Sequence, residues 1–305
     1  TDEPLLLEVN PRLGSGNVLS NVATGGRLHR SVLAGACGLP VTGDPDDYRD
    51  GLYLYRYLGD VIHDGSAPFQ VFHGWLLMLR AVLFDLDDTL YCEGDFYRSG
   101  FAVVSDELQR RGVGRAESVQ RLLDQLHFHG NRARVFNDAA EALGFPAEWV
   151  PELVVLFHRH TPRITLPAES AEVLKRLRDQ YRLGIVTDGH ADVQRRKLAS
   201  LRVASLVDAV VVTDDLGREH WKPHPLPFHI CCRQLGVQPA EAVYVGDNPQ
   251  RDMAGAKRAG MPAIRLLSGY FRNQPGKNGE LPCCEIRRLA DLESALAKLS
   301  LREVA

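Results

Sequence analysis

At 305 residues the chain is long enough for about two domains and a sizeable core. Its 45% hydrophobic and 25% charged content is that of an ordinary globular protein, which excludes a low-complexity or disordered chain. A net charge of -3 gives no basic surface for non-specific nucleic-acid binding, and the apolar stretch at 75–79 stops at Arg80, far short of a membrane span.

The first residues carry neither a basic n-region nor an apolar h-region, so no signal peptide is visible. Thr1 leads almost at once into Leu5-Leu6-Leu7, which reads as a cut through a longer polypeptide. Six cysteines, at 37, 92, 231, 232, 283 and 284, match neither a disulfide framework nor a zinc spacing. A reduced, cytoplasmic protein with buried thiols is the expectation.

Residues 1–74 stand apart from the rest. In Glu8-Val9-Asn10-Pro11-Arg12, Glu8, Asn10 and Arg12 fall at alternate positions of an extended run and face one side. Glu with Asn suits Mg²⁺, and Arg suits a nucleotide phosphate. A turn follows in Leu13-Gly14-Ser15-Gly16-Asn17, then a helix near 26–35 and a strand near 52–61. These residues resemble the C-terminal end of an ATP-grasp domain, a superfamily that ligates a carboxylate to an amine or thiol through an acyl-phosphate. The resemblance implies an α+β fragment with a vestigial Mg²⁺ and nucleotide site at Glu8, Asn10 and Arg12. The central ATP-binding part has no counterpart here, so the fragment is expected to be inert alone, with the missing ATP-grasp portion as its partner.

From Arg80 onward short apolar strands alternate with amphipathic helices, which predicts an α/β fold: a Rossmann-like three-layer parallel sheet. The first strand is Ala81-Val82-Leu83-Phe84, and it runs straight into Asp85-Leu86-Asp87-Asp88-Thr89. Asp85 and Asp87 are two positions apart, point the same way from an extended segment, and would share one pocket at the strand's C-terminal end. Two crowded carboxylates repel unless a cation joins them or one keeps its proton, and either remedy serves catalysis. A bare turn or helix cap explains such a pentapeptide equally well when it stands alone.

Residues 94–167 then read as helical almost throughout. Phe101, Val104 and Leu108 form one stripe; Val119, Leu122, Leu123 and Leu126 form a second; Val150, Leu153 and Leu156 form a third. Four helices inserted after the first strand would form a lid above the active end of the sheet. His127 with His129, and His158 with His160, sit two apart on helices, where side chains diverge, so a metal pair is disfavoured. His158, His160 or Arg163 could instead face the site from the lid.

The remaining strands are expected at 183–187, 209–212, 242–245 and 263–267. Helices are expected around Val173, Leu174, Leu177 and Tyr181, and at 191–201, 225–235 and 250–259, the last stopped by Gly260. Three further pieces carry chemistry. Thr187-Asp188-Gly189 ends the second strand with a hydroxyl and backbone amides suited to phosphate. Lys222 stands in Trp221-Lys222-Pro223-His224-Pro225, where a helix starts. Gly246-Asp247-Asn248 ends another strand, with Asp252 one turn into the next helix. Oxygen ligands without Cys or His favour Mg²⁺.

With these four pieces in order, residues 80–300 resemble the haloacid dehalogenase-like (HAD) superfamily, and the insertion resembles its C1-type cap. The resemblance implies a core at 80–93 and 168–301 and a cap at 94–167. It implies Asp85 as the nucleophile that forms an aspartyl-phosphate, and Asp87 as the acid and base. Thr187, Asp188, Gly189 and Lys222 would hold the phosphoryl group. Mg²⁺ would be held by Asp85, the backbone carbonyl of Asp87, Asp247 and Asp252. Dehalogenating members lack the second Asp, so a Mg²⁺-dependent phosphomonoester hydrolase acting on a small phosphorylated metabolite is expected. A phosphomutase, or the C-terminal part of a bifunctional ATP-grasp ligase, remains the alternative.

Overall fold

The computed structural model describes residues 79–277 and 281–300, with two short strands ahead of them. These strands, β1 (Val61–Ile62) and β2 (Gln70–Val71), pair antiparallel with Val61 opposite Val71. Glu8, Asn10 and Arg12, on which the ATP-grasp resemblance rests, lie outside the described residues.

The main sheet has six parallel strands: β3 (Ala81–Phe84), β4 (Arg182–Thr187), β5 (Ala209–Val212), β6 (Ala242–Gly246), β7 (Ala263–Leu266) and β8 (Cys284–Ile286). Their spatial order is β5-β4-β3-β6-β7-β8. Ala81 of β3 is level with Arg182 of β4 on one side and Ala242 of β6 on the other. The chain winds outward from β3 through β4 to β5 and then crosses back to β6 on the other side of β3, so the crevice where ligands collect in such sheets opens at the C-terminal ends of β3, β4 and β6.

Every residue of β3 is buried, as expected for a central parallel strand covered on both faces. Its side chains alternate. Val82 and Phe84 join one core layer, while Ala81 and Leu83 join the other, with Phe228, Cys231 and Tyr244. One glycine is essential to this packing. A Cβ at Gly184 of β4 would lie 2.5 Å from Cys231 Sγ, so the overlying helix sits as close as it does only because position 184 has no side chain.

Between β3 and the next core helix lie α1 (Glu93–Arg110), α2 (Ala116–His129), α3 (Val135–Leu143) and α4 (Val150–Arg159). Phe101, Val104, Leu108, Val119, Leu123, Val150 and Leu153 are buried as their spacing predicts, whereas Leu122, Leu126 and Leu156 are half-buried at the stripe edges. The core helices follow as α5 (Ala168–Arg178), α6 (Ala191–Leu201), α7 (Leu226–Leu235), α8 (Ala254–Arg258) and α9 (Leu292–Ser300). Among the described residues no helix is long and apolar enough to cross a membrane.

The structure departs from the sequence pattern in two places. Strand β8 was not expected: only Ile286 of its three residues is buried, so it carries no apolar run. The helix expected at 250–259 is divided, with a π-helical turn at Pro249–Met253 leading into α8. The wide turn lets Asp252 fold back toward the strand end, where its side chain accepts the backbone N–H of Asn248 at 3.0 Å.

Candidate active site

Strand β3 ends in Asp85, β6 ends before Asp247, and the π-helical turn supplies Asp252. Carboxylate oxygens of these three buried residues all lie within 4.8 Å of one another. Lys222 reaches in from the loop before α7. Its Nζ donates to Asp85 Oδ1 at 2.6 Å, to Asp252 Oδ1 at 2.7 Å and to the Tyr244 hydroxyl at 3.1 Å. A fully buried ammonium with three partners is satisfied. The sequence places a Tyr in an otherwise apolar β6, and that polar interruption is the signal for Tyr244 at the site.

The electrostatics follow from crowding. Burial raises the Asp85 carboxyl well above its usual range; Lys222 opposes this, and Asp252 and Asp87 reinforce it. Asp247 is pushed up to about 10 by burial and then by Asp252, Asp85 and Asp88. Lys222 shows the complementary effect: burial works against its charge, but Asp252 and Asp85 hold it protonated. One ammonium among three acids leaves an excess of negative charge. Three clustered carboxylates could hold a compact cation through hard oxygens, and Mg²⁺ fits that donor set by chemistry.

Asp87 occupies a different setting. Its Oδ1 accepts from the Tyr91 hydroxyl at 2.5 Å and from Lys197 Nζ at 2.7 Å, and its Oδ2 accepts from Gln194 Nε2 at 2.8 Å. Burial alone would discourage its charge, but Lys197, aided by Tyr91 and Gln194, overrides burial and holds the carboxyl below its usual range. Gln194 and Lys197 were not singled out from the sequence, although a signal existed. They interleave with Val193, Leu198 and Leu201 on the buried stripe of α6, where polar residues need partners.

Thr187 is fully buried, and its Oγ1 accepts from Gln194 Nε2 at 2.5 Å. Asp188 faces the other way: its Oδ1 accepts from Thr213 Oγ1 at 2.7 Å and from the Lys222 backbone N–H at 3.1 Å, which fixes the lysine loop to the end of β4. Gly189 has φ +130°, a backbone open to glycine, and any Cβ there would press on Gln194. Asn248 caps the π-helical turn, its Oδ1 accepting from the N–H groups of Gln250 and Arg251. Asp88 has φ +56°. Its Oδ1 accepts from the Glu93 N–H at the start of α1, its Oδ2 from the Tyr270 N–H, and its carbonyl from the Ser268 hydroxyl.

A cavity of about 410 Å³ opens between these strand ends and α1–α4. Asp87, Asp188, Gly189, Gln194 and Lys197 line its floor, and aromatic residues of the inserted helices line the far wall. His158 lines it too, 5.4 Å from His190 between ring centres. His160 is buried, its Nδ1 against the Phe157 carbonyl at 2.5 Å, and Arg163 is exposed, so of the three lid residues considered only His158 reaches the cavity. His127 lines it as well, whereas His129 is exposed. Burial, with help from Arg132, lowers His127 to about 4 and keeps its imidazole neutral at ordinary pH.

Comparison with known proteins identifies the family. The haloacid dehalogenase-like hydrolase family matches residues 82–266. Glyceraldehyde 3-phosphate phosphatase of Methanopyrus kandleri is 33% identical over 234 residues, which are 72% of this chain and 100% of that protein. N-acylneuraminate-9-phosphatase of Homo sapiens is 32% identical over 68% of this chain and 86% of its own length. A solved haloacid dehalogenase-like protein of Agrobacterium tumefaciens, 19% identical, superposes with a TM-score of 0.51 over 73% of this chain and 99% of its own, and shares the fold. The ATP-grasp resemblance of residues 1–74 gains no support, since the family match begins at residue 82. The chain belongs to the haloacid dehalogenase-like hydrolases.

Proposed function

We propose that this haloacid dehalogenase-like hydrolase is a Mg²⁺-dependent phosphomonoesterase that works through an aspartyl-phosphate on Asp85. The observation that carries the reading is the division of labour between two neighbouring carboxylates. Asp85 is tied to Lys222 within a carboxylate cluster suited to a cation, while Asp87 is held by three donors of its own. Relatives named as phosphatases across most of the chain support the same reading.

In the first step an Asp85 oxygen attacks phosphorus, the bond to the alcohol oxygen breaks, and that oxygen leaves with a proton that Asp87, itself held ionised in the free protein, relays from the phosphate monoanion. In the second, Asp87 takes a proton from water as the water attacks phosphorus, which releases phosphate and restores the Asp85 carboxylate. Lys222 holds a phosphoryl oxygen and the nucleophile together. Thr187, whose oxygen already accepts from Gln194, keeps its own proton for another phosphoryl oxygen, with the amides of Asp188 and Gly189 beside it. Mg²⁺, held by Asp85, the Asp87 carbonyl, Asp247 and Asp252, would offset the repulsion between an anionic nucleophile and an anionic phosphate.

Phosphate release from a generic aryl phosphate tests this directly. Activity should require Mg²⁺, disappear with EDTA, and be abolished in Asp85→Asn. Turnover that survives Asp85→Asn would refute the assignment.

A further inference from the structure

The far end of the cavity has no part in the phosphoryl chemistry described above, yet it is built with specific side chains. Three cations line the cavity. Lys197 is paired with Asp87 at 2.7 Å, and Arg251 faces Asp188 at 3.7 Å. Arg132, on the loop between α2 and α3, makes no direct ion pair among the described residues, although its charge reaches Glu93 on the same cavity, and its buried Nε has no hydrogen-bond partner. Its guanidinium lies over the Tyr270 ring at 4.2 Å, which orients the group while leaving its donors free.

His127 is the second orphan. It is only 2% exposed, it lines the cavity, its Nε2 has no partner, and its ring lies 3.8 Å from that of Tyr97. A buried polar atom without a partner is costly, and a residue that keeps one beside a cavity can have it satisfied by a ligand that seats there. Around these two groups the wall is made of rings: Phe96 meets Phe157 edge-on at 5.5 Å, and Tyr97 stacks on Phe157 at 5.7 Å. The volume, about 410 Å³, lies within the roughly 300–1,000 Å³ range typical of sites for drug-sized ligands.

We infer that this end of the cavity selects the alcohol half of the phosphomonoester, and that it takes a ring-sized alcohol bearing a carboxylate. The body lies against Phe96, Tyr97 and Phe157, the carboxylate pairs with Arg132, and a polar ring substituent meets His127 Nε2. The inference rests on the phosphomonoesterase reading and adds the class of substrate to it.

Two esters that differ by one group, phenyl phosphate and 4-carboxyphenyl phosphate, provide the test, with phosphate release measured on the Mg²⁺-loaded protein. The carboxylated ester should have the higher kcat/KM, on the order of tenfold or more for one charge-assisted contact. Arg132→Met should bring the ratio near one, and Arg132→Lys, which keeps a point charge without the planar fork, should restore part of it. In parallel, 4-hydroxybenzoate should inhibit competitively better than phenol, and lose that advantage in Arg132→Met. A wild-type ratio near one, or a ratio that survives Arg132→Met, overturns the inference and leaves the phosphomonoesterase reading standing. No release from either ester overturns both.

Discussion

The strand ends and the inserted helices both bury titratable groups, but they treat them in opposite ways. Around Asp85 the charges are tied to one another: Lys222 alone bridges two acids and a tyrosine hydroxyl, and Asp247 stands within the same carboxylate cluster. Across the cavity, among the rings of α1–α4, His127 and Arg132 are left with unpartnered nitrogens. The first arrangement is organised before any ligand arrives, as stabilisation of developing charge requires. The second is completed only by a ligand. Reactivity and selectivity are thus housed in different layers and can change independently.

Removing the central bridge should break this contrast most severely. Lys222→Met leaves three buried acids without their ammonium, and should cost on the order of 3–5 kcal/mol of stability in EDTA by urea unfolding. Phosphate release should fall at least about 10³-fold, and saturating Mg²⁺ should recover part of the stability but not the activity. Next comes Lys197→Met, which strips the main donor from Asp87. A fall in kcat on the order of 10²-fold with little change in KM is expected, since the proton carrier is disturbed but phosphate binding is not.

Titration sharpens the comparison further, because the two layers should respond to pH with opposite sign. Without metal, Asp247 sits at about 10 when folded, far above an unfolded carboxyl. Between those values the folded state binds a proton that the unfolded chain does not, so stability falls as pH rises. Melting in EDTA should therefore show a Tm that declines from about pH 5 to about pH 9, and Mg²⁺ should remove the slope by satisfying the ionised acid. His127 runs the other way. Its folded value of about 4 lies below the unfolded one, so its neutral form supports stability above that unfolded value, and this support is lost as pH falls toward 4.

The smallest effect is expected for His127→Phe. The ring stack with Tyr97 survives and an unsatisfied nitrogen disappears, so stability should be unchanged or rise by up to about 1 kcal/mol in thermal melts at neutral pH. The acid-side loss of stability assigned to His127 should disappear with it. A large destabilisation instead would mean that the imidazole has a structural bond and is not awaiting a ligand.

Much of this was legible in the sequence because strand periodicity and strand-end acids are local signals. The first five strands of the sheet, and Asp85, Asp87, Thr187, Lys222, Asp247 and Asp252, could be placed from short runs of residues. What could not be read was pairing across distance. Lys197 lies 110 residues from Asp87, and on a helix it looks like any solvated lysine until the stripe of Val193, Leu198 and Leu201 is seen to enclose it. The π-helical turn was missed for a similar reason: it goes with a side chain, Asp252, that folds back to accept from the Asn248 N–H, a contact no periodicity reveals. Arg265 hid inside the apolar run of β7, although it is buried there, its Nε donating to the Asp247 carbonyl at 3.3 Å.

Asp88 gives the architecture a practical corollary. One carboxylate fastens the first turn of α1 to the loop at Tyr270, and Gly269, at φ +58°, leaves so little room that an added Cβ would fall 2.1 Å from Asp88 Cγ. Anyone transplanting the helical insert from a relative to change what the enzyme accepts would have to bring this distant glycine loop with it. The graft junction is a knot tied from two stretches of sequence, and cutting only one of them would leave the new lid seated on a misplaced base.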